Sequence, residues 1–139
     1  MIADSLDRIA YSIVAITARA VQAVAGPELT FLGWRVLVVV DEMEAPARLG
    51  AVATRLGLSA PSASKLVRRL QRRGLVTLAR DTADRRGLVI ALTPEGRQIR
   101  TAVMRRRREV LEGATEPALP DDVDGAFHEL ARRLAQADA

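Results

Sequence analysis

Cysteine is absent from this sequence of 139 residues, and histidine occurs once, at position 128. Without cysteine there is no disulfide, thiolate nucleophile or cysteine-based redox sensor, which fits a reducing cytosol. One histidine without cysteines does not build a zinc site. The sequence also lacks a phosphate-binding loop, a dinucleotide fingerprint and a serine beside a histidine relay. It therefore predicts a protein that is not an enzyme, with no catalytic residues, no cofactor and no metal.

Long apolar runs are also missing. Residues 36–40 (VLVVV) form an apolar run that is far too short to cross a bilayer. The first thirty residues place Asp4, Asp7 and Arg8 among apolar positions at helical spacing. They lack the basic start, the unbroken apolar core and the cleavage site of a signal peptide. We therefore expect a soluble cytoplasmic protein with no membrane partner.

Negative charge is scarce in the middle of the chain. Residues 48–108 contain sixteen basic and three acidic side chains, a net charge of +13. Residues 1–47 carry a net charge of −3 and residues 109–139 carry −6, so the total of +4 hides a basic centre. An arginine-rich genome explains why Lys65 is the only lysine, but not why this stretch contains only three acids. The asymmetry favours a polyanion such as nucleic acid as the partner.

Helical spacing of apolar residues, interrupted by glycine and proline, predicts four helices in the first half of the chain. The first ends at Gly26, and Thr30 is placed to cap the second. The third helix is short and ends at Gly57, a residue that tolerates the positive φ of a tight turn. Ser59 is placed to cap the fourth helix, which ends at Gly74.

The periodicity then changes from helical to strand-like. Two runs with β-branched residues, 75–80 and 88–92, flank the polar segment 81–87 and predict a hairpin. Two more helices follow, one opened by Thr93 and one that starts at residue 121 or 122. This order predicts an α+β fold that is mostly α, a winged helix-turn-helix with additional helices at both ends.

The fourth helix has the pattern of a DNA-recognition helix. Two short helices joined by a turn with glycine are typical of a helix-turn-helix motif. One side of this helix is an apolar stripe, and the other has hydroxyls near its N-terminus and basic residues near its C-terminus. The stripe consists of Ala63, Leu66, Val67 and Leu70. Such a helix suits a major groove, where N-terminal side chains meet base edges and later cations meet phosphate. The residues predicted to contact DNA here are Ser59, Pro61, Ser62, Ser64, Lys65, Arg68, Arg69 and Arg72.

The predicted hairpin carries two arginines, Arg85 and Arg86, at the tip of its loop. A planar guanidinium fits a narrow and electronegative minor groove, so we interpret the hairpin as a DNA-binding wing. Asp84 precedes the arginines, and an acid near DNA is unexpected unless it holds an arginine in place. The alternative is that these charged residues are simply solvated, which is the better interpretation for a hairpin that does not follow a recognition helix.

These segments resemble the MarR family of multiple-antibiotic-resistance regulators. The matching stretches are LGLS at 56–59, LVRRL at 66–70, RGLV at 73–76, DRR at 84–86 and LTPEGR at 92–97. The resemblance covers essentially the whole chain, and the wing followed by the Leu-Thr-x-x-Gly pattern is specific. It implies a homodimer whose terminal helices form the interface and whose two lobes straddle a pseudo-palindromic site.

The resemblance also assigns roles to individual residues. The family's Asp-x-Arg wing motif implies that Arg86 enters the minor groove and that Asp84 braces it. The chain departs from the family at Arg68, where many members have an acid. The family often binds a small aromatic or anionic effector in the crevice between dimerisation and DNA-binding parts. The candidates to line such a crevice are Tyr11, Arg19, Trp34 and Arg35, although Trp34 suits the core equally well.

The terminal helices argue for a dimer independently of the resemblance. Their apolar stripes exceed what a small winged lobe can cover, and a twofold axis is the commonest solution. The stripes consist of Ile9, Ile13 and Val21 in the first helix and of Phe127, Leu130 and Leu134 in the sixth. The run Arg105 to Arg108 circles the fifth helix and is interpreted as solvated. We therefore predict a helical dimerisation region, residues 1–29 and 94–139, and a winged helix-turn-helix DNA-binding lobe, residues 30–93.

The expected function is a sequence-specific DNA-binding regulator of transcription that acts as a homodimer on double-stranded DNA, a repressor released by a small-molecule effector. Two alternatives stay open. The first is a winged-helix module that docks an acidic protein through its basic face, which predicts no retention of DNA. The second is an architectural protein, which predicts almost no difference in affinity between one operator and random DNA.

Overall fold

The structure is a computed structural model, and it describes residues 1–44, 46–83 and 87–138. The helices and strands follow the predicted order, with one short strand added. They are α1 (Ile2–Ala25), α2 (Phe31–Glu42), β1 (Ala47–Arg48), α3 (Leu49–Leu56), α4 (Ala60–Arg72), β2 (Val76–Arg80), β3 (Leu88–Leu92), α5 (Pro94–Ala114) and α6 (Asp121–Ala137). The prediction of a mostly helical α+β fold with a winged helix-turn-helix arrangement is confirmed.

Side-chain caps determine where three of the helices begin. Thr30 and Ser59 each accept a hydrogen bond from the backbone N–H three residues later, at 3.0 and 3.3 Å. Thr93 does the same at 3.0 Å, and its hydroxyl also donates to the carbonyl of Gly74 at 2.6 Å. Each cap satisfies an amide that the start of a helix leaves without an intrahelical partner. The predicted starts of α2, α4 and α5 are therefore confirmed.

Glycines end the two helices of the helix-turn-helix. Gly57 follows α3 with φ 66° in the left-handed region, and Gly74 lies just beyond α4 with φ 76°. A side chain with a Cβ atom is strained in this conformation, so glycine allows the chain to turn sharply. The first turn directs the chain from α3 into α4, and the second directs it into the hairpin.

The sheet has three antiparallel strands in the order β1-β3-β2. In the hairpin, Val76 pairs with Leu92 and Arg80 pairs with Leu88. Arg48 of β1 pairs with Val89 on the other edge of β3. The hairpin was predicted, but β1 was not, because a strand of two residues is too short to show a periodicity.

The core lies where α2, α4 and the sheet meet. Its fully buried members include Val36, Leu37, Val67, Leu75 and Val103. The start of α5 approaches the start of the hairpin so closely that a Cβ atom on Gly96 would lie 2.1 Å from the Leu75 carbonyl oxygen. Only glycine fits at this position, which fixes the path of the chain from the hairpin into α5.

The chain forms two compact units, Met1–Arg107 and Arg108–Ala139. The second unit contains the end of α5 and all of α6, and α6 has no buried residue. Phe127 and Leu134 are 47% and 56% exposed. The sequence analysis divides the chain by function instead, into a dimerisation region and a DNA-binding lobe. That division stays a prediction.

Helix α1 has a mixed character. It is long and apolar enough to cross a membrane by length and composition alone, and among the described residues no other helix meets that test. One such helix is weak evidence for a membrane span, because the core helix of a soluble protein and a signal sequence meet the same test. Most of its side chains are exposed in the single chain, whereas Thr17, Ala20 and Val21 are buried. The prediction that Val21 belongs to an uncovered apolar stripe was therefore wrong, because Val21 packs into the core of its own chain.

Candidate nucleic-acid interface

Helix α4 has one buried face and one open face. Ala63, Val67 and Leu70 are buried, and Leu66 is partly buried. These four residues are the predicted apolar stripe, so its prediction is confirmed. Because the buried side fixes the rotation of the helix, the side chains between these positions are directed away from the core.

The open face of α4 carries cations and hydroxyls. Its exposed members are Ser62, Lys65, Arg68, Arg69 and Arg72, and Ser64 is partly buried. No acid occurs in α4, and none of its four cations forms an ion pair with the described residues. A row of like charges that the protein leaves unpaired favours a polyanionic partner.

The first turn of α4 divides the serines into two roles. The hydroxyl of Ser59 accepts the Ser62 N–H and donates to Ser62 Oγ at 2.9 Å. Because the cap uses the Ser59 hydroxyl in both directions, Ser62 is the residue of this pair that keeps a donor for a ligand. Pro61 occupies the first turn, where its missing N–H costs little.

The far end of α4 meets the turn between α1 and α2. Arg73 donates to the carbonyl of Ala25, and its Nε lies 3.8 Å from a carboxylate oxygen of Glu28. Arg69 and Arg72 stay exposed at the rim of an open pocket of about 520 Å³ formed with this turn. The structure therefore separates a structural arginine, Arg73, from two arginines that are free to reach a ligand.

An ion pair at the base of the hairpin was missed by the sequence reasoning. Asp81 is only 7% exposed, and it accepts a hydrogen bond from Arg48 Nε at 2.5 Å. The two residues are 33 positions apart, and Arg48 belongs to the unpredicted strand β1. No local pattern links them. The predicted DNA contacts of Asp84, Arg85 and Arg86 lie outside the described residues.

The four candidates for an effector site differ in exposure. Tyr11 is 79% exposed, Arg19 and Arg35 are also exposed, and Trp34 is buried at 4%. The pocket beside α4 and a second one of about 570 Å³ in the C-terminal unit are lined by other residues. Trp34 is therefore a core residue, which was the alternative interpretation, and the site itself stays a prediction.

The surroundings of Trp34 correct the interpretation of the arginine run on α5. The guanidinium of Arg107 lies 5.6 Å from the centroid of the Trp34 ring, and it donates to Met104 Sδ at 3.2 Å. Arg107 is partly buried, whereas Arg105, Arg106 and Arg108 are exposed. One arginine of the run thus packs on an aromatic ring through a cation–π contact, and only the other three are solvated.

Helix α6 treats its cations differently from α4. Glu129 accepts hydrogen bonds from Arg132 at 2.8 and 2.9 Å and from Arg133 at 2.7 Å. These hydrogen bonds, of which the one from Arg132 has the larger effect, lower the pKa of the Glu129 carboxyl below its ordinary value. His128 on the same helix is exposed, and no metal-binding group of three or more ligands occurs in the part of the chain that the structure describes.

The geometry defines a winged helix-turn-helix protein: a capped basic helix after a short helix and a glycine turn, followed by a hairpin. Residues 28–87 match the model of the MarR family. A transcriptional regulator of the MarR family from Rhodococcus sp. RHA1 has the same fold, with 27% identity, 96% of this chain and 91% of that chain covered, and a TM-score of 0.75. Over residues 28–87 the chain is therefore similar to the MarR family of transcriptional regulators.

Two further relatives extend the comparison. The HTH-type transcriptional regulator SarZ of Staphylococcus saprophyticus is 29% identical over 83 residues, 60% of this chain. The match spans 56% of the length of SarZ, which is less than two thirds. CouR from Rhodococcus jostii RHA1, solved bound to p-coumaroyl-CoA, is 25% identical, with 97% of this chain and 91% of that chain covered and a TM-score of 0.71.

Proposed function

We propose that this protein is a transcriptional regulator that binds a specific sequence of double-stranded DNA as a homodimer and represses transcription there. The observation that carries the proposal is the open face of α4. It presents one lysine and three arginines with no acid among them, on a helix whose other face is anchored in the core. The names of the matched relatives, which are transcriptional regulators, support the same function.

The contacts on α4 divide into reading and positioning. Ser62, Ser64 and Lys65 lie in the first two turns, where side chains of a recognition helix reach base edges. The arginines follow toward the C-terminal end, where the helix leaves the groove and the natural partner is phosphate. Ser59 and Pro61 hold the start of the helix close to the sugar-phosphate backbone of the DNA. The wing residues Asp84, Arg85 and Arg86 complete the proposed site, with the arginines in the minor groove.

The terminal helices support the proposed homodimer. Residues 1–29 and 94–139 contain most of the large apolar side chains that the single chain leaves exposed, including Ile9, Phe127 and Leu134. Covering them with the same surface of a second copy gives a twofold axis. The twofold symmetry of the two lobes matches that of a pseudo-palindromic DNA operator. The proposed location of this complex is the cytoplasm.

Release by a small molecule is the regulatory part of the proposal. CouR was solved bound to p-coumaroyl-CoA, which supports ligand binding within this fold. Tyr11, Arg19 and Arg35 offer an aromatic ring and two cations, a set that fits an aromatic acid. Trp34 contributes to such a site only if a movement of the covering Arg107 uncovers its ring.

The test is a selection from a library of random-sequence DNA duplexes with the full-length protein. We expect enrichment of one sequence with inverted symmetry, and lower activity of a reporter placed behind that sequence. Arg132→Ala is the matched control, because it removes a cation from α6 and should enrich the same sequence. Retention of all duplexes alike would indicate an architectural protein, and retention of none would indicate a protein-interaction module; either result overturns the proposal.

A further inference from the structure

Arg48 and Asp81 are joined across the central strand of the sheet. Arg48 pairs with Val89 on one edge of β3, and Val89 pairs with Ala79 on the other edge. Side chains alternate between the two faces of a strand, so Asp81, two residues after Ala79, lies on the same face as Arg48. The Arg48 side chain therefore reaches over β3, and its Nε meets Asp81 Oδ2 at 2.5 Å.

Asp81 is a buried carboxylate at the point where the hairpin leaves the sheet. Its Oδ1 accepts the Ala83 N–H at 3.0 Å, and its own N–H donates to the Gly87 carbonyl at 3.0 Å. The side chain thus shapes the first turn of the wing, and the backbone closes the loop at its base. A buried charge held by several hydrogen bonds tolerates little displacement.

The pair connects the two parts of the lobe that carry the proposed DNA contacts. Arg48 immediately precedes α3, the first helix of the helix-turn-helix, and its backbone forms the N-cap of that helix. Asp81 immediately follows β2 and begins the wing.

We infer that Arg48 and Asp81 are a positioning pair, which holds the wing at the orientation in which wing and α4 engage one DNA site together. The inference rests on the proposed DNA-binding function and adds two residues to it that need not contact DNA. It also accounts for one of the three acids in the stretch of net charge +13: Asp81 lowers the attraction to DNA but orients the wing.

The negative charge of Asp81 and its proposed positioning role predict opposite effects of Asp81→Asn on the affinity for DNA. Removing an acid from a basic lobe tightens DNA binding if charge alone matters. Loss of the charge-assisted hydrogen bond weakens binding about tenfold if the pair orients the wing. Glu95→Gln is the matched control, since Glu95 is an exposed acid in the same basic stretch, and it should bind as tightly as the parent or more tightly.

The decisive measurement is a double-mutant cycle on the duplex that the parent protein selects. Arg48→Met should cost about tenfold in affinity in the parent, but nothing further when Arg86→Ala has already removed the wing contact. A direct phosphate contact or a general loss of stability would make the two losses add, and that result would overturn the inference. Arg48→Lys, which keeps the charge but not the Nε geometry, should resemble Arg48→Met.

The controls distinguish this inference from the proposed function. Thermal unfolding of each variant is recorded beside its affinity, and if Asp81→Asn is unfolded at the assay temperature, the Arg48→Lys affinity decides. A parent that selects a duplex while Arg48→Lys and Asp81→Asn bind it equally well overturns the positioning role alone. A parent that selects no duplex overturns the proposed function and this inference with it.

Discussion

Helices α4 and α6 both carry arginines, but they leave different parts of their surfaces unpaired. In α4 the apolar stripe is buried, and the cations have no ion pair among the described residues. In α6 both arginines pair with Glu129, and no residue is buried. Among the described residues, α4 thus lacks a partner for its charge, and α6 lacks one for its apolar face. The first deficit suits a polyanion and the second suits another copy of the chain.

The largest expected effect tests the difference in packing between the two regions. Gly96→Ala should lower the free energy of unfolding by about 3 kcal/mol, because its Cβ atom would lie 2.1 Å from the Leu75 carbonyl oxygen. Gly125→Ala in the interior of α6 meets nothing within 4 Å and should raise it by about 0.5–1 kcal/mol. Denaturant unfolding of both variants provides the comparison, and similar values for the two would contradict it.

The second prediction concerns the exposed apolar face of α6. Leu134→Glu should raise the dimer dissociation constant about a hundredfold, because it places a charge in the proposed interface. Gln136→Glu adds the same charge on the other side of the helix and should leave the dimer intact. Sedimentation velocity at several concentrations separates the two. If the parent protein sedimented only as a 15.1 kDa species at micromolar concentration, the proposed homodimer would be wrong.

The local parts of this fold could be predicted from the sequence. Thr30, Ser59 and Gly57 act through bonds or dihedrals within a few residues, so their roles are visible in the pattern around them. The faces of α4 were predictable for the same reason, because helical spacing alone separates the apolar stripe from the cations. The boundaries of the hairpin strands followed from a change of period.

The parts that escaped prediction depend on contacts between distant residues. Strand β1 exists only because β3 pairs with it, and the bond between Arg48 and Asp81 spans 33 positions. The packing of Arg107 on Trp34 joins two helices that are far apart in the chain, so a run of four arginines gave no sign of which one is partly buried. Such contacts depend on tertiary packing, which the periodicity of apolar residues along the sequence does not predict.

A smaller effect compares one arginine from each region. Arg72→Ala should weaken DNA binding by about 1 kcal/mol and lower the slope of log affinity against log salt concentration by about 0.9, the value for one lost phosphate contact. Arg132→Ala removes the same side chain from α6, where Glu129 already neutralises it, and should leave the slope unchanged. Titrations of one duplex at several salt concentrations show both. Equal slopes for the two variants would mean that α4 is not the DNA-binding surface.

The central claim is that α4 reads sequence, and Lys65→Ala tests it most directly. The measurement is the affinity for the selected duplex and for its single-base-pair variants, at several salt concentrations. The account predicts that the variant loses about 1–3 kcal/mol of discrimination at one or two base pairs and keeps its preferences elsewhere. Arg72→Ala should instead weaken binding to every duplex by the same factor. If Lys65→Ala also weakened all duplexes equally, binding through α4 would be electrostatic only, and a sequence-specific regulator would be the wrong conclusion.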